Sequence, residues 1–321
     1  MNTNTNATTT KITAVTHGGV FHTDELVGLA ILAIRAGGTQ NIEVFRSRSL
    51  DVITDIVEKG GYALDVGGVY EPVKGQYDHH QRGGAGNRDN GVPYATAGLV
   101  WKHHAEEAVG HIAYCLGVDL TAGQMAAIIA RVDDELIAVV DSIDTGHSRE
   151  RIDNPLNMVV NAMKPSWLSS ASGAALRAAF DAAYVAAYHY LGGVIENAIG
   201  DAIAEAEVTA ALEKVEGDVL VLSRFMPWQK VLKDNPAAHP INWVVFQSLE
   251  GNWNISAVPM PGTFRDSKRL LPEAWRGLKP DELLAVSGID DIVFCHPAGF
   301  IGGAKSQEGA IAMAKAASLA A

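Results

Sequence analysis

The chain has 321 residues, 48% of them hydrophobic and 19% charged, which suffices for two globular domains and a sizeable core. A formal charge of −12 speaks against a large non-specific nucleic-acid surface, and two cysteines exclude a disulfide framework. No apolar run is long enough to span a bilayer, so no membrane partner is expected.

Residues 1–10 are Asn/Thr-rich, without the apolar core of a secretory signal or the arginines of a transit peptide, and are predicted to be a disordered tail. The cysteine usage and the missing signal predict a cytoplasmic protein. Residues 11–16 (KITAVT) are β-branched and alternating and predict a strand. Thr23 reads as a helix N-cap, and residues 24–35 carry a helical apolar pattern that stops at Gly37-Gly38. Residues 42–45, 50–58 and 62–66 then predict strand, helix and strand. Such alternation predicts an α/β fold with a parallel sheet, whose ligand sites lie at the carboxyl ends of the strands. From Tyr94 to about Ala211 the pattern is helical and Ala-rich.

After Gly217 the texture changes. Residues 218–223, 241–248, 253–258 and 292–296 predict strands, and 307–318 a final helix. The reading is a catalytic domain over 11–213 and a smaller α+β substrate-binding domain over 214–321. The charge follows the same division. Residues 214–321 hold 11 basic and 11 acidic residues, so the whole deficit lies in 1–213. The second part contains a basic stretch, Arg265, Lys268, Arg269, Arg276 and Lys279, against Asp266 and Glu273.

Four groups of metal-ligand side chains mark the first domain. They are His17, His22 and Asp24 in HGGVFHTD, Asp65 in ALDVGG, Asp78, His79 and His80 in YDHHQR, and Asp141 and Asp144 in VDSIDTG. Three of the four sit at predicted strand ends or in the loops that follow, which converge in a parallel sheet. Mixed carboxylate and imidazole ligands suit manganese, zinc or iron better than calcium. Clustered carboxylates repel one another unless a cation neutralises them. Two cations about 3.5–4 Å apart, sharing one carboxylate, clamp the attacking and leaving oxygens of a phosphoryl centre and acidify a water. Taken singly, His17 also reads as a loop histidine and Asp65 as a turn residue. One of Asp141 and Asp144 is expected to cap a helix and the other to bind metal.

At YDHHQR the chain resembles the DHH phosphoesterase superfamily, which includes RecJ-type exonucleases, oligoribonucleases and family II inorganic pyrophosphatases. It is more similar still to one branch, the melanocyte proliferating gene family of metal-dependent hydrolases and exonucleases. The similar segments are residues 16–25, 63–68, 77–82, 95–101, 140–146, 271–278 and 296–314. The resemblance implies a DHH-type parallel-sheet catalytic domain followed by a smaller substrate-binding domain. It also implies a centre of two divalent cations, Mn2+ foremost, with Mg2+, Zn2+ or Fe2+ as alternatives. Carried over by position, His17, His22 and Asp24 match the first motif, Asp65 the bridging ligand, and Asp141 or Asp144 the fourth motif. His79 and His80 match the third motif with Asp78 supporting or ligating, and these three are the expected catalytic residues. His22 stands where the superfamily usually has aspartate. Gln81, Arg82, Arg269, Arg276, Gly302, Gly303 and Lys305 are expected to meet substrate, with the glycines before the last helix cradling an anion and Phe264, Trp275 and Phe300 available to stack a base.

The expected activity is phosphodiester hydrolysis, 3′–5′ exonucleolytic, on RNA or short oligonucleotides. The alternatives are a small-molecule phosphatase or pyrophosphatase and a non-catalytic regulatory protein on a hydrolase scaffold. A homodimer is the partner expected by analogy.

Overall fold

A computed structural model describes residues 11–148, 153–168, 172–215, 217–235, 240–263 and 266–320. The N-terminal tail, Phe264 and Arg265 lie outside the described residues. The chain forms two compact units, Met1–Ile199 and Gly200–Ala321.

The first unit is built on a five-stranded sheet in the order β2-β1-β3-β5-β4, with β1 Ile12–Thr16, β2 Ile42–Arg46, β3 Tyr62–Leu64, β4 Tyr70–Glu71 and β5 Gln76–Tyr77. Strands β2, β1, β3 and β5 are parallel, and β4 turns back antiparallel on β5. The two-residue strands β4 and β5 were not foreseen; they are too short to carry a period-2 signal. Helix α1, Thr23–Arg35, is buried from Thr23 to Ile34. Its Leu, Ile and Ala residues are apolar on all sides because it is enclosed on all sides. His22, one residue earlier than expected, occupies the N-cap position. The helix ends where Gly38 donates its N–H to the Ala33 carbonyl at 2.8 Å. Helix α2, Leu50–Glu58, lays Ile53 and Ile56 on Val15, Ala63 and Val66 of the sheet. Each such burial contributes ~1.5–3 kcal/mol.

Helix α3, Thr96–Leu116, packs along α1, and a Cβ on Gly28 of α1 would touch Thr96 Cγ2 at 3.4 Å. Helix α4, Ala122–Val132, runs into a π-helical turn, Asp133–Ile137, and then into α5, Ala138–Asp144. Helix α6 is Pro155–Met163, and α7 is a 40-residue helix, Gly173–Leu212, which passes through the division between the units.

The second unit holds a mixed sheet in the order β6-β7-β8-β10-β9, with β6 Val219–Leu222, β7 Trp243–Gln247, β8 Trp253–Ala257, β9 Ile292–Cys295 and β10 Ile301–Ala304. Only β6 and β7 pair in parallel. Helices α8, Trp228–Asp234, α9, Pro280–Ser287, and α10, Gln307–Leu319, complete it. Trp243, Val245, Ile255 and Leu271 meet Met313 and Ala317 of α10 in its core.

Among the described residues, no helix is long and apolar enough to cross a membrane.

Candidate metal centre

The strands β1, β3 and β5 are neighbours running the same way, and each delivers chemistry where it ends. His17 follows β1, Asp65 follows β3, and Asp78-His79-His80 follows β5. Helix α1 starts beside them and brings Asp24 and Glu25 in its first turn, where the helix dipole favours carboxylates. Asp144, the last residue of α5, completes the ring.

The distances are short. His17 Nε2 lies 3.2 Å from Oε1 of Glu25 and 3.3 Å from Oδ2 of Asp65. His79 Nε2 lies 3.2 Å from Asp144, 3.5 Å from Asp65 and 4.0 Å from Asp24. His80 Nδ1 lies 3.2 Å from Asp65 Oδ1. Three sets of ligand atoms each fall within 4.8 Å of one another: His17, His22, Glu25 and Asp65; Asp65, His79 and His80; and His22, Asp24 and Asp144. Asp65 and His22 each belong to two of these sets, and of the two only Asp65 has a carboxylate that two cations could share. Its φ of 56° makes it the only non-glycine residue with positive φ among the described residues. Strain of this kind is held in place only where surrounding structure enforces it.

Asp78 stands behind this ring. Its Oδ2 accepts the Gly68 N–H at 2.6 Å, and its Oδ1 accepts the His80 N–H at 3.0 Å and lies 2.8 Å from His80 Nδ1. Asp78 therefore orients His80.

The fourth motif divides cleanly. Asp144 faces the ring. Asp141 is fully buried and occupied elsewhere: its Oδ2 accepts from Arg88 at 2.7 Å and its Oδ1 accepts the Gly98 N–H at 2.9 Å. The expectation that Asp141 is a ligand is corrected here, because both of its oxygens are spent on these donors. A Cβ on Gly98 would sit 1.8 Å from Asp141 Oδ2, so only glycine admits that carboxylate.

Glu25 was missed in the sequence. It accepts the His22 N–H at 2.8 and 2.9 Å, closing a capping box that an N-cap placed at Thr23 does not predict. Full burial and its contact with His17 show the second role.

The electrostatics are those of a charge cluster in search of cations. Asp24 is pushed well above the ordinary carboxylate range by burial, and then by Asp65, Asp144 and Glu25. Burial works against protonation of His17, yet Asp65 and Glu25 raise it to about 10. Burial is likewise outweighed at His79, which Asp144 and Asp65 raise to about 10. Asp65 is pulled below the usual range by the two histidines against the effect of its burial. Both oxygens of Asp24, Oδ1 of Asp65, and Nε2 of His17 and of His79 are buried without a hydrogen-bond partner. Five such atoms around one point fit divalent cations, which bind oxygen and imidazole nitrogen together.

A cavity of about 650 Å³ opens on this cluster, lined by His17, His22, Asp24, Asp65, His80 and Asp144 together with Arg48, Asn161 and Lys164.

The other expected substrate contacts fall in varied surroundings. Gln81 is half-buried with its Oε1 unpartnered, and Arg82 is exposed. Gly302 and Gly303 lie inside β10, paired with β8 on one side and β9 on the other. Their backbone serves the ladder and does not form the anion cradle expected of a loop. A Cβ on Gly302 would meet Met313 and Leu271 within 3 Å, which explains glycine there by packing. Arg269 donates to the Ser318 carbonyl at 3.0 Å and Arg276 to the Leu271 carbonyl at 2.9 Å, so both arginines tie their own unit together. Trp275 is buried in the core of that unit, whereas Phe300 and Lys305 are exposed.

A parallel α/β sheet whose strand ends gather buried carboxylates and imidazoles is the architecture of a hydrolase with a candidate metal site. The family model MYG1_exonuc, described as Uncharacterised protein family (UPF0160), matches residues 13–318, and the chain belongs to that family. It is 28% identical to the MYG1 protein of Dictyostelium discoideum, covering 94% of this chain and 95% of that one. It is 29% identical to a MYG1 protein of Saccharomyces cerevisiae, covering 94% of each. It is 28% identical to the MYG1 exonuclease of Homo sapiens, covering 94% of this chain and 84% of that one. Among solved structures, RecJ from Thermus thermophilus in complex with Mn2+ aligns at 14% identity and a TM-score of 0.25. That alignment covers 96% of this chain and about half, 52%, of RecJ, and carries no weight at that score.

Proposed function

We propose that the protein is a metal-dependent phosphodiesterase that removes nucleotides from the 3′ end of RNA or short oligonucleotides, with two manganese ions as cofactor. The observation that carries this reading is Asp65, strained in backbone and shared between two sets of ligand atoms. His17, His22 and Asp65 would hold one side of the centre and Asp65 and His79 the other, with Asp24 and Asp144 reaching it beside His22 and Glu25 fixing His17. Bound divalent cations supply Lewis acidity that makes a water nucleophilic near neutral pH and offsets charge on phosphoryl oxygens.

The chain's own residues do the rest. Asp78 holds Nδ1 of His80, which leaves Nε2 free to carry a proton to the departing oxygen. The His80 side chain is 62% exposed and lines the cavity, so it can meet a substrate that enters from solvent. The name exonuclease carried by the human and rat relatives supports cleavage from an end. A net charge of −12 also suits a short chain or a free end better than long duplex.

The test is hydrolysis of a 5′-labelled RNA hexamer by purified protein with and without Mn2+, beside His79→Ala. The expected result is metal-dependent shortening from the 3′ end to mononucleotide, lost together with bound metal in the variant. A wild-type protein that leaves the hexamer intact, or one that splits pyrophosphate instead, overturns the proposal.

A further inference from the structure

Four aspartates and three histidines line the cavity over the candidate metal centre, and two cationic side chains line it too. Arg48 is exposed on the loop between β2 and α2, and Lys164 is half-buried at the residue that ends α6. Lys164 feels Glu25, Asp144 and Asp24, but none of them is within ion-pair distance. Its Nζ donates once, to Oδ1 of Asn161 at 2.7 Å, and among the described residues no other hydrogen-bond acceptor meets it. Burial lowers the Lys164 ammonium below its usual value, which marks a cation held partly out of water. Arg48 has no ion-pair partner among the described residues.

The acids of this site lie against its histidines: Glu25 and Asp65 against His17, Asp65 and Asp144 against His79, Asp78 against His80. Lys164 and Arg48 are therefore left over from the internal charge pairing of the cavity. An ammonium with N–H groups to spare and an unpaired guanidinium, both facing one wet cavity, match the oxygens of a phosphate monoanion. The arginines once expected to take this role, Arg269 and Arg276, instead donate to backbone carbonyls of their own unit.

We infer that Lys164, positioned by Asn161 and assisted by Arg48, forms a phosphate-binding subsite at the mouth of the metal centre, within the catalytic unit itself. It would hold a phosphodiester of the substrate next to the one being cut, or the scissile group's outer oxygen. The inference deepens the phosphodiesterase reading and rests on it.

The experiment compares wild type with Lys164→Met, Lys164→Arg and Arg48→Met. Mn2+ binding is read by calorimetry, and binding of a fluorescein-labelled RNA hexamer by anisotropy in Ca2+, with hydrolysis in Mn2+ followed separately. Lys164→Met is expected to keep Mn2+ affinity within about two-fold while weakening hexamer binding about ten-fold, an effect carried by KM more than kcat. Lys164→Arg should retain most of the binding, and Arg48→Met should show a smaller loss that shrinks as salt rises. Equal hexamer binding by wild type and Lys164→Met, no binding by wild type, or a loss that tracks lost Mn2+, overturns the subsite. Absence of hydrolysis by a wild type that still binds the hexamer through Lys164 would instead remove the phosphodiesterase reading and leave the subsite standing.

Discussion

Arg88 reaches across 53 residues of sequence to place Nη1 2.7 Å from Oδ2 of Asp141, and the pair is sealed from solvent. The same guanidinium donates at 2.7 and 2.8 Å to Asp133 in the π-helical turn. Burial pushes Asp141 up to about 7, against the opposing pull of Arg88 and the Gly98 N–H. The Arg88 loop is thus pinned to α3 and α5, and α5 carries Asp144 into the candidate metal site. Arg88→Met would leave two acids without their donor. The expected cost is ~3–5 kcal/mol in urea unfolding, the usual penalty for orphaning a buried charge. Mn2+ affinity should fall with it, because α5 loses its anchor. Adding Asp141→Asn to Arg88→Met should recover part of the stability. A loss below ~1 kcal/mol would remove the network from the account.

Asp65 offers a test in which glycine beats alanine. Its φ of 56° is a conformation that costs an L-residue ~1–2 kcal/mol and glycine almost nothing. In chelator-treated protein, Asp65→Gly should therefore be more stable than Asp65→Ala by ~1 kcal/mol, the reverse of the order in a helix or strand interior. Both variants should lose Mn2+ binding, since each removes the shared carboxylate. Equal stability of the two in urea titrations would mean the backbone relaxes when the side chain leaves.

These two cases show how much the sequence alone disclosed. The strand, loop and helix around His17 to Asp24, the end of β3 at Asp65 and the final helix were legible because local alternation, caps and glycines agree with the tertiary structure there. The choice between Asp141 and Asp144 was not, since residues three apart on a helix share a side. Arg88, remote in sequence and silent in any motif, makes that choice. Glu25 was hidden for a different reason: an N-cap placed at Thr23 does not predict the capping box that it closes. In the second unit, a glycine pair before a helix suggests a loop for anions, and only the pairing of β10 with β8 and β9 shows that these glycines serve packing.

Proton release should accompany metal binding. In metal-free protein, burial disfavours the charged forms of His17 and His79, but the surrounding carboxylates prevail and hold both at about 10, up from 6.5. A histidine raised on folding adds stability that is complete below its unfolded value of 6.5 and is lost as pH climbs through about 10. Metal-free protein should accordingly lose stability over that interval. Mn2+ needs neutral imidazoles, so its affinity should rise across the same interval. Calorimetry at pH 7.5 in two buffers of different ionisation enthalpy should report net proton release as the site fills, with both histidines contributing. Identical heats in both buffers would show that neither histidine is displaced from its proton.

Asp24 should trade function for stability. Both of its oxygens are buried without a hydrogen-bond partner, and burial followed by Asp65, Asp144 and Glu25 holds its carboxyl well above the ordinary range. A carboxyl raised on folding favours the folded state at low pH, and this contribution disappears as pH rises through the folded value. At neutral pH the metal-free protein therefore carries Asp24 as a burden that a bound cation would relieve. Asp24→Asn removes the charge while keeping the shape. Its metal-free form should be more stable than metal-free wild type by ~0.5–2 kcal/mol, the scale of gain seen when a strained functional group is neutralised. Mn2+ should raise the melting temperature of wild type, by the ordinary linkage of ligand to the folded state, and leave that of Asp24→Asn nearly unmoved. Thermal melts of both proteins with Mn2+ and with chelator decide the matter. If the chelated variant melts below chelated wild type, the carboxylate is held by contacts within the protein and is not waiting for a metal.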